Sequence, residues 1–139
     1  MEALLVAGDP MVRDLVKVGL RQFPGVEVTV GAGFTGVSLA RGKRFDCVFL
    51  AVDPREPVTG QLLEHLRSFE RDADLFVLTD PRNVKAMAVD KTRFDVHSFV
   101  ATPVVEKDFF GAIGRYLERR AGGKAGAGSA SSVATPARS

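Results

Sequence analysis

Residues 45–54, Phe45-Asp46-Cys47-Val48-Phe49-Leu50-Ala51-Val52-Asp53-Pro54, decide how the rest of the chain is read. The stretch starts with an aromatic and a polar residue, runs apolar from Cys47 to Val52 and breaks at Asp53-Pro54. Continuous apolar character over this length suits a central parallel strand, whose two faces are both covered by helices. In open α/β sheets, ligands and chemistry collect just beyond the carboxyl ends of such strands. Ala51 to Asp53 is therefore where function is to be sought.

Upstream, Ala3 to Ala7 is a short apolar run ending at Gly8-Asp9-Pro10, a strand followed by a helix start. Asp9 suits the N-cap and Pro10 the first helical position. Val12, Leu15, Val16, Gly19, Leu20 and Phe23 recur at helical spacing up to Pro24-Gly25. Val26 to Val30 alternates with Glu27 and Thr29, as a half-exposed strand does. Residues 34–41 predict a short helix, weakened by Gly36. Downstream, Leu62, Leu63, Leu66 and Phe69 predict an amphipathic helix from about Gly60 to Arg71. Leu75 to Leu78 reads as a buried strand closing at Thr79-Asp80-Pro81, followed by a modest helix with Val84, Met87 and Ala88. Phe99-Val100 forms the core of a last strand closing at Ala101-Thr102-Pro103. Val105, Phe109, Ile113 and Tyr116 mark a final helix to about Arg120. Five strand–helix alternations predict a doubly wound α/β domain with a five-stranded parallel sheet and right-handed crossovers.

A length of 139 residues allows one ordinary domain. Hydrophobic residues make up 45% and charged residues 26%, the proportions of a globular chain with a real core. The formal charge of +2 comes from the tail. Without Lys124 and Arg138, 17 basic side chains balance the 17 acidic ones, which gives no electrostatic reason to expect nucleic acid or a membrane surface as partner. Residues 121–139 contain fourteen Gly, Ala or Ser and are expected to form a flexible linker or tail after a domain spanning 1–120. Cys47, the one cysteine, lies inside the apolar strand, so a reducing, cytoplasmic setting is expected and no disulfide is available. No stretch is long and apolar enough to predict a membrane span.

The chain resembles the receiver (CheY-like) domain of bacterial response regulators over roughly residues 2–120. The matching phrases are Ala3-Leu4-Leu5-Val6 with Pro10-Met11-Val12-Arg13, Phe45 to Leu50, Leu78-Thr79, and Phe99 to Pro103 running into Phe109-Phe110 and Ile113. The resemblance implies a flavodoxin-like (βα)5 fold with strand order 2-1-3-4-5. It also implies a site in which an aspartate after the third strand accepts phosphate and an acidic pair after the first strand holds magnesium. A hydroxyl after the fourth strand and a lysine before a proline after the fifth complete that site. Mapped onto this chain, the acidic pair falls on Ala7 and Gly8, the acceptor on Ala51, the hydroxyl on Thr79 and the lysine on Thr102. Only Thr79 keeps the required group. Three positions without a side-chain oxygen cannot supply the hard ligands magnesium needs, and no acyl phosphate forms without a carboxylate. The resemblance thus implies a degenerate pseudo-receiver that is not an enzyme and uses no metal or other cofactor. The pair Thr79 and Phe99, which in the family links the pocket to the surface of the fourth helix, fifth strand and fifth helix, is retained.

Two carboxylates remain near that edge. Asp9 and Asp53 form either a relocated acceptor site or a helix cap and an Asp-Pro turn, and the local uses are the commoner ones. His65 and His97 have no partner at metal-ligand spacing. In the last helix, Gly111, Ala112 and Gly114 are bare, with Tyr116 nearby as a candidate anchor for a partner. The expected function is phosphorylation-independent protein–protein interaction or localisation in bacterial signal transduction, through another protein or self-association. The alternatives are phosphorylation at Asp53 and sensing of a small anion in the vacated pocket.

Overall fold

The computed structural model describes residues 1–52 and 59–125. Its strands are β1 (Glu2–Val6), β2 (Glu27–Gly31), β3 (Cys47–Ala51), β4 (Asp74–Thr79) and β5 (Val96–Ala101). Its helices are α1 (Pro10–Arg21), α2 (Gly33–Gly42), α3 (Thr59–Phe69), α4 (Pro81–Ala86), α5 (Ala88–Arg93) and α6 (Glu106–Ala125). The five strands form one parallel sheet in the order β2-β1-β3-β4-β5, the flavodoxin-like topology. Each anticipated strand is present, displaced by a residue or a few at its ends.

The apolar stretch around Val48 forms the middle strand, with Val48 and Leu50 wholly withdrawn from solvent. They share one face with Leu4, Val6, Leu75 and Val77, where α2 supplies Val37 and Ala40 and α3 supplies Leu62, Leu63 and Leu66. Alternate residues point to the opposite face, so Ala3, Leu5, Cys47 and Phe49 are equally buried there. Phe49 and Phe76 stack across neighbouring strands, with centroids 4.6 Å apart. Burial on both faces explains why this strand reads as an unbroken apolar run.

Asp9 caps α1 as its sequence suggests, its Oδ1 accepting from the Met11 N–H at 2.9 Å, with Pro10 in the first turn. Gly36, read as a weak point of α2, has a packing role. A Cβ placed there would lie 2.8 Å from the carbonyl carbon of Gly31, so β2 and α2 approach closely only because both residues lack side chains.

Three expectations need correction. The single modest helix after β4 is two short ones, because Met87 leaves the helical conformation at φ −96° and ψ 10°. The last helix does not stop near Arg120 but runs to Ala125, taking in residues that composition assigned to the linker. Alanine is the best helix former, and extending an existing helix costs far less than nucleating one. His97 lies inside β5, at a register irregularity opposite Leu75 and Phe76, rather than before the strand.

The chain divides into two compact units, residues 1–106 and the part beginning at Lys107. Within the second, Phe109, Ile113 and Tyr116 follow one another at helical spacing along α6 and are all buried. No helix among the described residues is long and apolar enough to cross a membrane.

Candidate functional site

The strand order brings β1, β3, β4 and β5 side by side, so their carboxyl ends form a single row. Register aligns them: Val6 lies opposite Leu50, Ala51 opposite Leu78, and Thr79 opposite Ala101. Ala7, Ala51, Thr79 and Thr102 therefore occupy the same edge, as the mapping from sequence requires. Backbone hydrogen bonds continue the ladder past the strands. The Ala7 N–H donates to Gly31 O at 3.0 Å, Val52 N–H to Leu78 O at 2.8 Å, and Thr102 N–H to Thr79 O at 2.9 Å. The Thr102–Pro103 peptide bond is cis.

Chemically, the described part of this edge is poor. Ala7 is 1% exposed, so a carboxylate in its place would stand at a nearly dry position. Gly8 and Ala51 add no side-chain oxygen. Thr79 is fully buried, and its Oγ1 accepts from Asn83 Nδ2 at 3.4 Å. Ala7, Gly8 and Ala51 do not fit a magnesium ion, because hard cations need carboxylate or other oxygen ligands and these three positions carry methyls or nothing. Among the described residues, no three His, Cys, Asp or Glu side chains converge as a metal site.

Phe99, the second member of the retained pair, is partly buried and packs against the core on the α2–α3 face. It lies opposite Val77, two residues before Thr79 along β4. Alternation therefore puts Phe99, Val77 and Thr79 on the same side of the sheet.

The described carboxylates at the edge go to local structure. Asp9 is used as a cap. Asp53 lies outside the described residues. Asp80, which the sequence reading passed over, caps α4 through the Arg82 N–H at 2.8 Å. The same carboxylate accepts Nε and Nη2 of Arg82 at 3.1 and 2.9 Å. That two-pronged grip, with the backbone N–H, lowers the Asp80 carboxyl to about 2. The missed signal is the recurrence of Asp-Pro after three of the five strands, at Asp9-Pro10, Asp53-Pro54 and Asp80-Pro81. In both described cases the aspartate caps the helix that follows.

His65 is half-buried and His97 exposed, and both make local contacts. His65 shares a hydrogen bond of 3.2 Å with Ser38 Oγ and lies edge-on to Phe34 and Phe69, which joins α3 to α2. His97 lies against Phe76 and bonds to Ser98 Oγ at 3.0 Å. On α6, Gly111, Ala112 and Gly114 are half-buried. Tyr116 is 4% exposed, which removes it as a presented anchor. Its spacing from Phe109 and Ile113 already put it on the buried stripe, and the reading of it as a surface group overlooked that period.

No family model matches the chain, and no curated protein matches it in sequence. Solved structures do match it. The signal receiver domain of an HD domain-containing protein from Pseudomonas fluorescens is 17% identical with a TM-score of 0.72, over 88% of this chain and 90% of that one. This chain has the receiver fold. The chemotaxis response regulator CheY4 of Vibrio cholerae is 20% identical with a TM-score of 0.69, over 82% of this chain and 96% of that one. A streptococcal redox sensor, from a family evolved from two-component response regulators, is 15% identical with a TM-score of 0.75. The match covers 97% of this chain and 57% of that one. At such identities the likeness is one of fold.

Proposed function

We propose that this receiver-fold domain works in signal transduction without accepting phosphate, by binding another protein. The observation that carries the reading is the edge itself. The positions of the metal-binding pair and the acceptor hold Ala7, Gly8 and Ala51, and the position of the lysine holds Thr102. Without a carboxylate nucleophile there is no acyl phosphate, and without the lysine a phosphoryl oxygen has no fixed countercharge. The scaffold around these positions is intact, which supports a role for its surface rather than for its pocket. The streptococcal redox sensors support the idea that a response-regulator fold can be turned to another input.

Incubation with acetyl phosphate and magnesium, followed by intact-mass measurement, tests the reading. The expected outcome is an unmodified mass. A stoichiometric adduct abolished by Asp53→Asn would replace this reading with phosphorylation at Asp53. For the binding role, the proposed contact includes the small residues of α6, where another backbone can come close. Ala112→Arg is expected to weaken self-association or partner capture about tenfold. Thr102→Arg, at the pocket rim, should leave it unaltered. The reverse pattern would favour a small anion bound in the pocket.

A further inference from the structure

Among the described residues β2 pairs only with β1, which leaves its outer side as a free edge of the sheet. The Glu27 N–H donates to Met1 O at 2.8 Å, and Gly31 O accepts from the Ala7 N–H at 3.0 Å. Glu27, Thr29 and Gly31 therefore turn their backbone groups toward β1, and alternation turns the N–H and C=O of Val28 and Val30 outward. The usual protections of an edge are lacking along this strand. It has no proline and no lysine, its one charge is Glu27 at the start, and its register with β1 is unbroken over Glu27–Gly31. The opposite edge differs, since β5 meets β4 with an irregularity between Leu75 and Phe76 that spoils it as a template. Val28, Thr29 and Val30 are half-buried, and Leu39 of α2, which lies against Gly31, is 39% exposed.

We propose that β2 pairs with β2 of a second copy of this chain, antiparallel about a two-fold axis at Thr29, to give one sheet continuous across both copies. The sequence Val28-Thr29-Val30 is self-complementary about that axis. Val28 faces Val30 of the second copy, and their outward groups satisfy each other as in a hydrogen-bonded antiparallel pair. Thr29 faces Thr29 in the closer, non-hydrogen-bonded pair, where two threonines favour each other. Glu27 faces Gly31, which keeps the two Glu27 positions about 14 Å apart along the strands. That separation exceeds the Debye length of about 10 Å, so the acids do not oppose the pairing. A two-fold contact closes at two copies, whereas head-to-tail addition would leave an edge open for more. A strand from an unrelated protein would gain the backbone bonds without this matching of side chains. The inference is separate from the contact proposed on α6 and from whether the domain accepts phosphate.

Sedimentation velocity of the full chain across the micromolar range is expected to show a monomer–dimer equilibrium. Thr29→Lys and Thr29→Glu should each weaken dimerisation at least about tenfold, because each sets like charges face to face at the axis. An equimolar mixture of the two variants should recover the dimer, which two merely destabilised folds would not do. Thr29→Cys should form an interchain disulfide on mild oxidation, since facing Cα atoms in such a pair are about 4.5 Å apart. Val28→Cys, which faces Val30 instead of itself, should stay largely uncrosslinked. Melting curves of the variants report folding separately. A monomer at every concentration, a dimer that both charge variants leave intact, or equal cross-linking of the two cysteine variants would overturn the proposal. So would a dimer lost in Ala112→Arg yet kept in Thr29→Lys, a result that would leave the α6 contact standing alone.

Discussion

The two ends of the sheet use polar chemistry in opposite ways. At the amino end, Arg67 of α3 donates to four backbone carbonyls: Phe94 O at 2.8 Å, Ala73 O at 2.9 Å, Asp95 O at 3.0 Å and Glu70 O at 3.2 Å. Burial pulls its guanidinium below the ordinary value, opposed chiefly by Asp95 and Glu70. Glu70 accepts from the N–H groups of Asp72 and Ala73, and Asp46 from the Glu2 N–H at 2.8 Å. Loops that would otherwise strand their backbone groups are thereby satisfied. At the carboxyl end, Ala7, Gly8 and Ala51 carry no side-chain oxygen, and the described carboxylates Asp9 and Asp80 cap helices. Among the described residues, then, charge serves structure at both ends. The described carboxylates of the carboxyl end hold helix starts, whereas those of the amino end hold loops.

If that contrast is real, removing Arg67 should do the most damage. Arg67→Ala is expected to lower unfolding free energy by roughly 3 kcal/mol, because several partly buried carbonyls lose their donor at once. Arg67→Lys should recover less than half, since an ammonium lacks the planar fork that reaches several acceptors. Urea denaturation measures both, and a loss below about 1 kcal/mol for the alanine variant would break the comparison.

Adding a charge to the bare edge is expected to cost less. Ala51→Asp should destabilise by about 1–2 kcal/mol, as a carboxylate enters a half-buried strand end. Magnesium should not raise the melting temperature of this variant. A magnesium-dependent rise would reveal a working metal site and dissolve the distinction between the two ends.

The smallest effect is expected at Asp80. Its folded-state carboxyl is depressed to about 2, so its contribution is present above the unfolded value near 4 and lost as pH falls toward 2. Asp80→Asn keeps a good capping group but loses the ionic grip of Arg82. It should melt slightly below the parent at pH 6, and the two curves should converge near pH 2. A gap that persists unchanged at pH 2 would mean that the Asp80 charge contributes nothing to holding this edge.

Much of the fold was legible before any coordinates, and particular residues show why. The run around Val48 has the composition of a strand buried on both faces, and Asp9-Pro10 has the chemistry of a helix start; each depends on a few neighbours in sequence. That Ala7, Gly8 and Ala51 bring no carboxylate was legible too, because an alanine or glycine lacks one wherever the chain places it. The tertiary structure alone decided what depends on distant partners. Gly36 changed from a weak spot to a close contact once Gly31 lay against it. Tyr116 moved from surface to interior. Arg67 gained its four carbonyls from segments up to 28 residues away, a relation that no local pattern encodes. The exposure of Met11 and Val18 was likewise invisible, since an apolar stripe reads the same in sequence whether or not anything covers it. Sequence fixes which groups are present and their local periodicity, whereas burial and long-range pairing arise only when the sheet brings separate segments together.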